Sequence, residues 1–208
     1  MLATNRISKI KQLLKEKRPL HTSHVAPLFW KPVKLIQRIT PSKNIQHWLT
    51  TKGSLTAQLR QLCPELEVVI LSEKLERPLT NEAQSLGLQN NEQAWIRCVL
   101  LKGGKENWVY ARTVIPHFSE SNPWAHLQEL GNKPLGEVIF QDNHIQRTPF
   151  TFSRQPLTTW PYLHQALALK STKQTGYARR SVFTQQQAPL LLTEVFLPNL
   201  LKQASHVF

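Results

Sequence analysis

The sequence predicts an α+β domain built on an antiparallel β-sheet, with helices inserted between strand pairs. Three observations carry that expectation. Apolar runs at residues 94–101 and 108–116 flank the turn Lys102-Gly103-Gly104-Lys105-Glu106-Asn107, which makes two neighbouring strands antiparallel. A second hairpin joins Arg179-Arg180-Ser181-Val182-Phe183-Thr184 to Pro189-Leu190-Leu191-Leu192-Thr193-Glu194-Val195-Phe196-Leu197-Pro198 through a polar turn of three glutamines. Segments with helical rather than alternating periodicity lie between these strand pairs.

In chain order, Arg6 to Arg18 is a basic stretch in which Ile7, Ile10, Leu13 and Leu14 share one helical face. It reads as an amphipathic helix packing its apolar stripe on the domain. Pro19, Pro27, Pro32 and Pro41 then make an extended, irregular approach. We therefore divide the chain into a basic N-terminal helix and extension, residues 1–43, and a folded domain, residues 44–208. Asn44 to Thr50 forms a short helix. Ser54 caps a second, Leu55 to Leu62, which stops before Pro64 and carries Leu55, Leu59 and Leu62 as a core-facing stripe.

Leu66 to Leu71 is short and β-branched, hence a strand, and Thr80 to Leu86 makes a helical turn before the first hairpin. Alternation in that hairpin places Trp108, Tyr110, Arg112 and Val114 on one face and Val109, Ala111, Thr113 and Ile115 on the other. Pro123 to Leu130 returns to the helical period and is closed by Gly131. Pro134 to Phe140 is a turn running into a short helix, Ile145 to Phe152 a strand, and Tyr162 to Leu169 a helical piece. The final hairpin then closes the sheet.

Composition narrows the function. Among 208 residues the formal charge is +13, but basic residues are scattered and no zinc-finger spacing, arginine-rich tract or aromatic RNA-binding motif accompanies them. No nucleic-acid partner is expected, and at most a weak, salt-screened attraction of the basic helix to anionic membrane surfaces. Cys63 and Cys98 are too far apart for a metal-ligand motif and read as reduced core thiols. No apolar run approaches the roughly 18 residues that cross a bilayer, and the N-terminus lacks a signal peptide's apolar segment, so a cytoplasmic location is expected. Phosphate-binding loops, dinucleotide fingerprints, zinc-protease motifs and nucleophile elbows are absent.

What remains is a pair of charges in apolar strands. Glu194 stands in a strand apolar on both faces, where an ionised carboxylate needs a cation, a hydrogen-bond network or a raised pKa. Arg112, in the Trp108 to Pro116 strand, is the candidate partner. Their competing roles are a buried ion pair that only holds the sheet together and a functional site.

The stretches Trp108-Val109-Tyr110-Ala111-Arg112-Thr113-Val114-Ile115-Pro116, Leu130-Gly131-Asn132-Lys133-Pro134-Leu135-Gly136 and the final hairpin resemble, in order and spacing, the bacterial chorismate pyruvate-lyase family. The resemblance is firm from about Trp95 to Pro198 and weaker over Trp48 to Leu101. It implies an antiparallel sheet with helical flaps over a buried ligand pocket. The implied activity converts chorismate to 4-hydroxybenzoate and pyruvate for ubiquinone synthesis, with no metal or organic cofactor, in a monomer. Arg112 occupies the place of the arginine that holds the aromatic carboxylate, and Glu194 that of the acidic residue at the ligand's other end. Leu135 matches a leucine whose backbone helps bind the carboxylate. Leu55 stands where the family commonly has a methionine, which keeps a backbone contact but changes the side-chain packing. A second implied reading is a non-catalytic domain that binds an aromatic carboxylate, since effector-binding domains of GntR-type regulators are similar in fold to this family.

Overall fold

A computed structural model describes residues 29–203 apart from 90, 141, 143 and 169–172. The basic segment from Arg6 to Arg18 lies outside the described residues. One antiparallel sheet is formed by β1 (Lys31–Pro32), β2 (Glu67–Glu76), β3 (Ala94–Gly103), β4 (Glu106–Pro116), β5 (Gln146–Arg147), β6 (Thr151–Pro156), β7 (Thr175–Gln185) and β8 (Ala188–Phe196). Their spatial order is β1, β6, β7, β8, β4, β3, β2, with β5 also pairing β7. Around them are α1 (Lys43–Thr50), α2 (Leu55–Leu62), α3 (Thr80–Leu86), α4 (Gly136–Ile139), α5 (Leu163–Ala166) and α6 (Pro198–Gln203). The α+β architecture is the predicted one. Among the described residues no helix is long and apolar enough to cross a membrane.

The last hairpin does not close the sheet at an edge. β8 pairs β4 along Val109 to Val114, which sets the β7–β8 hairpin in the middle. The unbroken run of leucines in β8 explains this, because only an interior strand covered on both faces can bury consecutive apolar side chains. Its turn is tight: Gln186 and Gln187 both adopt positive φ, 47° and 68°, the conformation that matches the strands' twist.

Serines start the first two helices, Ser54 as the sequence predicts and Ser42 ahead of a helix that begins at Lys43, one residue before the expected Asn44. Ser42 Oγ accepts from the Ile45 N–H at 3.4 Å and Ser54 Oγ from the Ala57 N–H at 3.3 Å. Two segments differ from expectation. The strand expected over Ile145 to Phe152 is split into β5 and β6, and Pro149, which has no N–H to give a ladder, lies in the gap. The helix expected over Pro123 to Leu130 is a 3-10 turn, Ala125–Glu129. The extension also meets the sheet, since Lys31 and Pro32 pair with Phe152 and Thr151.

Strand alternation gives the sheet two different faces. On one, Val99, Leu101, Val109 and Phe196 pack beneath Trp48, Leu49, Leu55 and Leu59 of α1 and α2. Farther along the same face, Trp95, Ile115, Leu190 and Leu192 pack against Trp124, Leu127 and Leu130. The other face buries Ile96, Leu100, Tyr110, Val114 and Val195 against Ala83, Trp160 and Leu163. On the first face the two apolar clusters are separate, and polar residues stand between them.

Candidate active site

Four buried or nearly buried charges punctuate the central strands: Arg97 in β3, Arg112 in β4, Arg179 in β7 and Glu194 in β8. Register assigns them to faces. Arg97 opposes Thr113, Ala111 opposes Glu194, and Glu194 opposes Arg179. Opposed residues share a face, whereas successive residues of a strand alternate. Arg97, Arg179 and Glu194 therefore project from the first face, and Arg112 from the other.

The first face holds a cavity between its two apolar clusters. Its floor is Arg97, Val99, Leu101, Ala111, Thr113, Leu192 and Glu194. Its cover comes from Leu55 and Thr56 of α2 on one side, and from Lys133 to Gly136 with Phe140 around α4 on the other. The two covers meet at Gly136, where a Cβ would come within 3.0 Å of Thr56 Oγ1 and 3.1 Å of Ser54 Oγ. An Arg60–Glu137 ion pair also joins them. About 30 Å³ of free space remains inside, against roughly 300 Å³ at the small end of ligand pockets. A ring-sized ligand thus enters only when the cover moves.

Each of these side chains is held by a different element. Arg97 is 3% exposed; it pairs with Glu73 of β2 through Nη1 and donates through Nη2 to the Gly131 carbonyl at 2.6 Å. These bonds fix the guanidinium and the loop that leads to Leu135. Glu194 accepts from Arg179 Nε at 2.6 Å. Arg179 in turn donates through Nη1 to the Thr51 and Trp48 carbonyls at 2.8 and 3.3 Å, using acceptors that the end of α1 leaves free. Leu55 opens α2 and Leu135 immediately precedes α4, positions where backbone N–H groups have no acceptor within the helix.

The structure thus brings Leu55, Leu135 and Glu194 to one cavity, but not Arg112. The expected Arg112–Glu194 pair does not form, because the Ala111–Glu194 register turns the two side chains to opposite faces. Arg112 is instead clamped by Glu82 of α3, Nε to Oε1 at 2.8 Å and Nη2 to Oε2 at 3.1 Å. Glu76 and the Cys98 sulfur accept from Nη1, each at 3.2 Å. Burial opposes the charge on Arg112, but Glu82, Cys98 and Tyr110 together offset it, and the pKa lies above the ordinary arginine value. Burial also pushes the Cys98 thiol up. Glu82 Oε2 caps the start of α3 as well, accepting from the Leu79 N–H at 2.9 Å.

Arg112→Met is therefore expected to destabilise the fold by about 3–5 kcal/mol, the range for breaking a buried pair. Urea unfolding measures it, and adding Glu82→Gln should recover part of the loss. An unchanged midpoint would contradict the clamp.

Arg97 and Arg179 are the cavity-face cations that sequence reasoning missed, although Arg97 carries the signal that singled out Arg112: a lone cation in an apolar strand. For Arg179 a further sign was present. Equal steps outward from Gln186 and Gln187 reach Arg179 and Glu194, so a two-residue turn places them opposite each other.

Comparison with known proteins is consistent along most of the chain. A family model described as "Chorismate lyase" matches residues 26–206. A "Probable chorismate pyruvate-lyase" of Hydrogenovibrio crunogenus is 45% identical over 169 residues, covering 81% of this chain and 89% of that protein. Its counterpart in Aromatoleum aromaticum is 37% identical over 161 residues, covering 76% and 86%. Among solved structures, PhnF from Mycobacterium smegmatis aligns with a TM-score of 0.50 at 14% identity over 72% of this chain and 65% of that one. A PhnF C-terminal domain aligns with 0.50 at 11% identity, over 72% and 91%. At these identities the likeness is one of fold.

Proposed function

The chain belongs to the chorismate lyase family, and from that premise we propose that it eliminates pyruvate from chorismate to give 4-hydroxybenzoate for ubiquinone synthesis. The observation that carries this reading is a closed cavity bordered by a buried arginine and a carboxylate, with two helix-start backbones above them. Arg97 binds the ring carboxylate, and the free N–H groups of Leu55 and Leu135 complete its hydrogen bonding. Glu194 engages the C4 hydroxyl end. Arg112 sustains the sheet from the other side.

Loss of the C4 hydrogen and the C3 ether together makes the ring aromatic, so the reaction runs strongly downhill. The residues must chiefly orient the ring and direct one proton. Glu194 either takes the C4 proton or aligns its transfer to the departing enolpyruvyl group. The paired cover of α2 and α4 excludes water while this happens.

Purified protein incubated with chorismate should yield equal amounts of 4-hydroxybenzoate and pyruvate, separated by chromatography and counted against time. Folded protein that binds 4-hydroxybenzoate yet forms neither product would overturn the lyase reading and leave an aromatic-acid binding domain. The proposal includes a monomeric enzyme working in the cytoplasm, and size-exclusion chromatography with light scattering tests the first part.

A further inference from the structure

Arg147, the second residue of β5, pairs with Phe183 of β7. Its guanidinium carbon lies 4.4 Å from the ring centroid of Phe150, 5.9 Å from that of Phe183 and 6.0 Å from that of Phe140. Ring faces attract a cation but accept no ordinary hydrogen bond. Accordingly Nη1 is buried and has no hydrogen-bond partner, a condition that buried polar groups rarely tolerate without a role. Arg97, Arg112 and Arg179 all have carboxylate partners. Among the described residues Arg147 forms no salt bridge.

Arg147 does not itself line the cavity, but its neighbours connect it to one end. Phe150 also carries the Arg179 guanidinium, 4.6 Å from the ring centroid, and Arg179 holds Glu194. Phe140 lines the cavity itself. Two guanidiniums thus gather around one carboxylate, leaving a positive charge uncompensated. Burial and Arg179 lower the Arg147 pKa while Glu194 raises it, so these charges are electrostatically in reach of one another.

Chorismate carries two carboxylates and 4-hydroxybenzoate only one. With the ring carboxylate at Arg97 and the C4 hydroxyl at Glu194, the ether on C3 projects beside the Glu194 end. We propose that Arg147 binds the carboxylate of the enolpyruvyl side chain, an inference that rests on the lyase reading of the site. As the C4 proton leaves, its bonding pair forms the last ring double bond and the C3–O bond breaks onto oxygen. The resulting enolpyruvate takes a proton at its methylene to become pyruvate. A cation at the carboxylate of this leaving group both orients the ether and offsets its developing charge.

The test begins with chorismate turnover by the unaltered protein; its absence would refute the lyase reading by itself. Given turnover, Arg147→Gln should raise the chorismate KM by about ten- to a hundredfold, with Arg147→Lys between the two. Affinity for 4-hydroxybenzoate, measured by calorimetry, should stay near its original value because the product lacks the second carboxylate. An unchanged KM, or a parallel loss of product affinity, would overturn the proposal. If the variants fail to fold, the unaltered protein still decides. 3-(Carboxymethoxy)-4-hydroxybenzoate should bind more tightly than 3-ethoxy-4-hydroxybenzoate, and equal affinities would overturn the assignment.

Discussion

Arg97→Met is expected to lower kcat/KM for chorismate by about 30- to 4,000-fold, the equivalent of the roughly 2–5 kcal/mol lost when one partner of a buried charge pair is removed. Three consequences of the structure set that magnitude. The ring carboxylate loses its cation, Glu73 is left without its partner, and the Gly131 carbonyl is released. The last of these loosens the loop that positions Leu135. Product affinity should fall with turnover, because substrate and product share the ring carboxylate. Arg97→Lys keeps the charge but loses the planar fork, so it should recover only part of the loss. Comparing 4-hydroxybenzoate with 4-hydroxybenzamide separates carboxylate binding from support of the loop. The unaltered protein should strongly prefer the acid, and Arg97→Met should not. A variant that keeps the preference would leave Arg97 as a structural residue.

The contrast between Arg97 and Arg112 shows what was legible in the sequence. Hairpins, the helix start at Ser54 and the α+β class all depend on local signals: turn chemistry, capping and periodicity. Alternation even separated Ala111 from Arg112. Which face carried the cavity was not local information. It depends on β8 pairing with β4 across some eighty intervening residues and on one register, Ala111 against Glu194; a slip by one residue would have reversed the outcome. Resemblance pointed to Glu194, Leu55 and Leu135, all of which border the cavity. For the cation it pointed to Arg112 in β4 rather than Arg97 in the neighbouring β3, and Arg112 faces α3.

Glu194→Gln separates proton transfer from binding. The substitution keeps shape and one acceptor oxygen but removes the negative charge and the basicity, so turnover should fall by about a hundredfold or more if the carboxylate works as a general base. Affinity for 4-hydroxybenzoate should survive better, because Arg97 still holds the ring carboxylate. The ion pair complicates this reading. Arg179 Nε would face an amide instead of a carboxylate at 2.6 Å, although Nη1 keeps its carbonyls at the end of α1. Some loss of stability is therefore expected, and melting temperature must be measured beside kcat. Arg179→Lys supplies the control: it disturbs the same pair yet leaves the carboxylate in place. If Glu194 acts as a base, Arg179→Lys should retain far more turnover than Glu194→Gln at similar stability. If instead the two variants lose activity equally, Glu194 serves to position the substrate, and the C4 proton passes directly to the departing enolpyruvyl group. Near-normal turnover in Glu194→Gln would exclude the base role altogether.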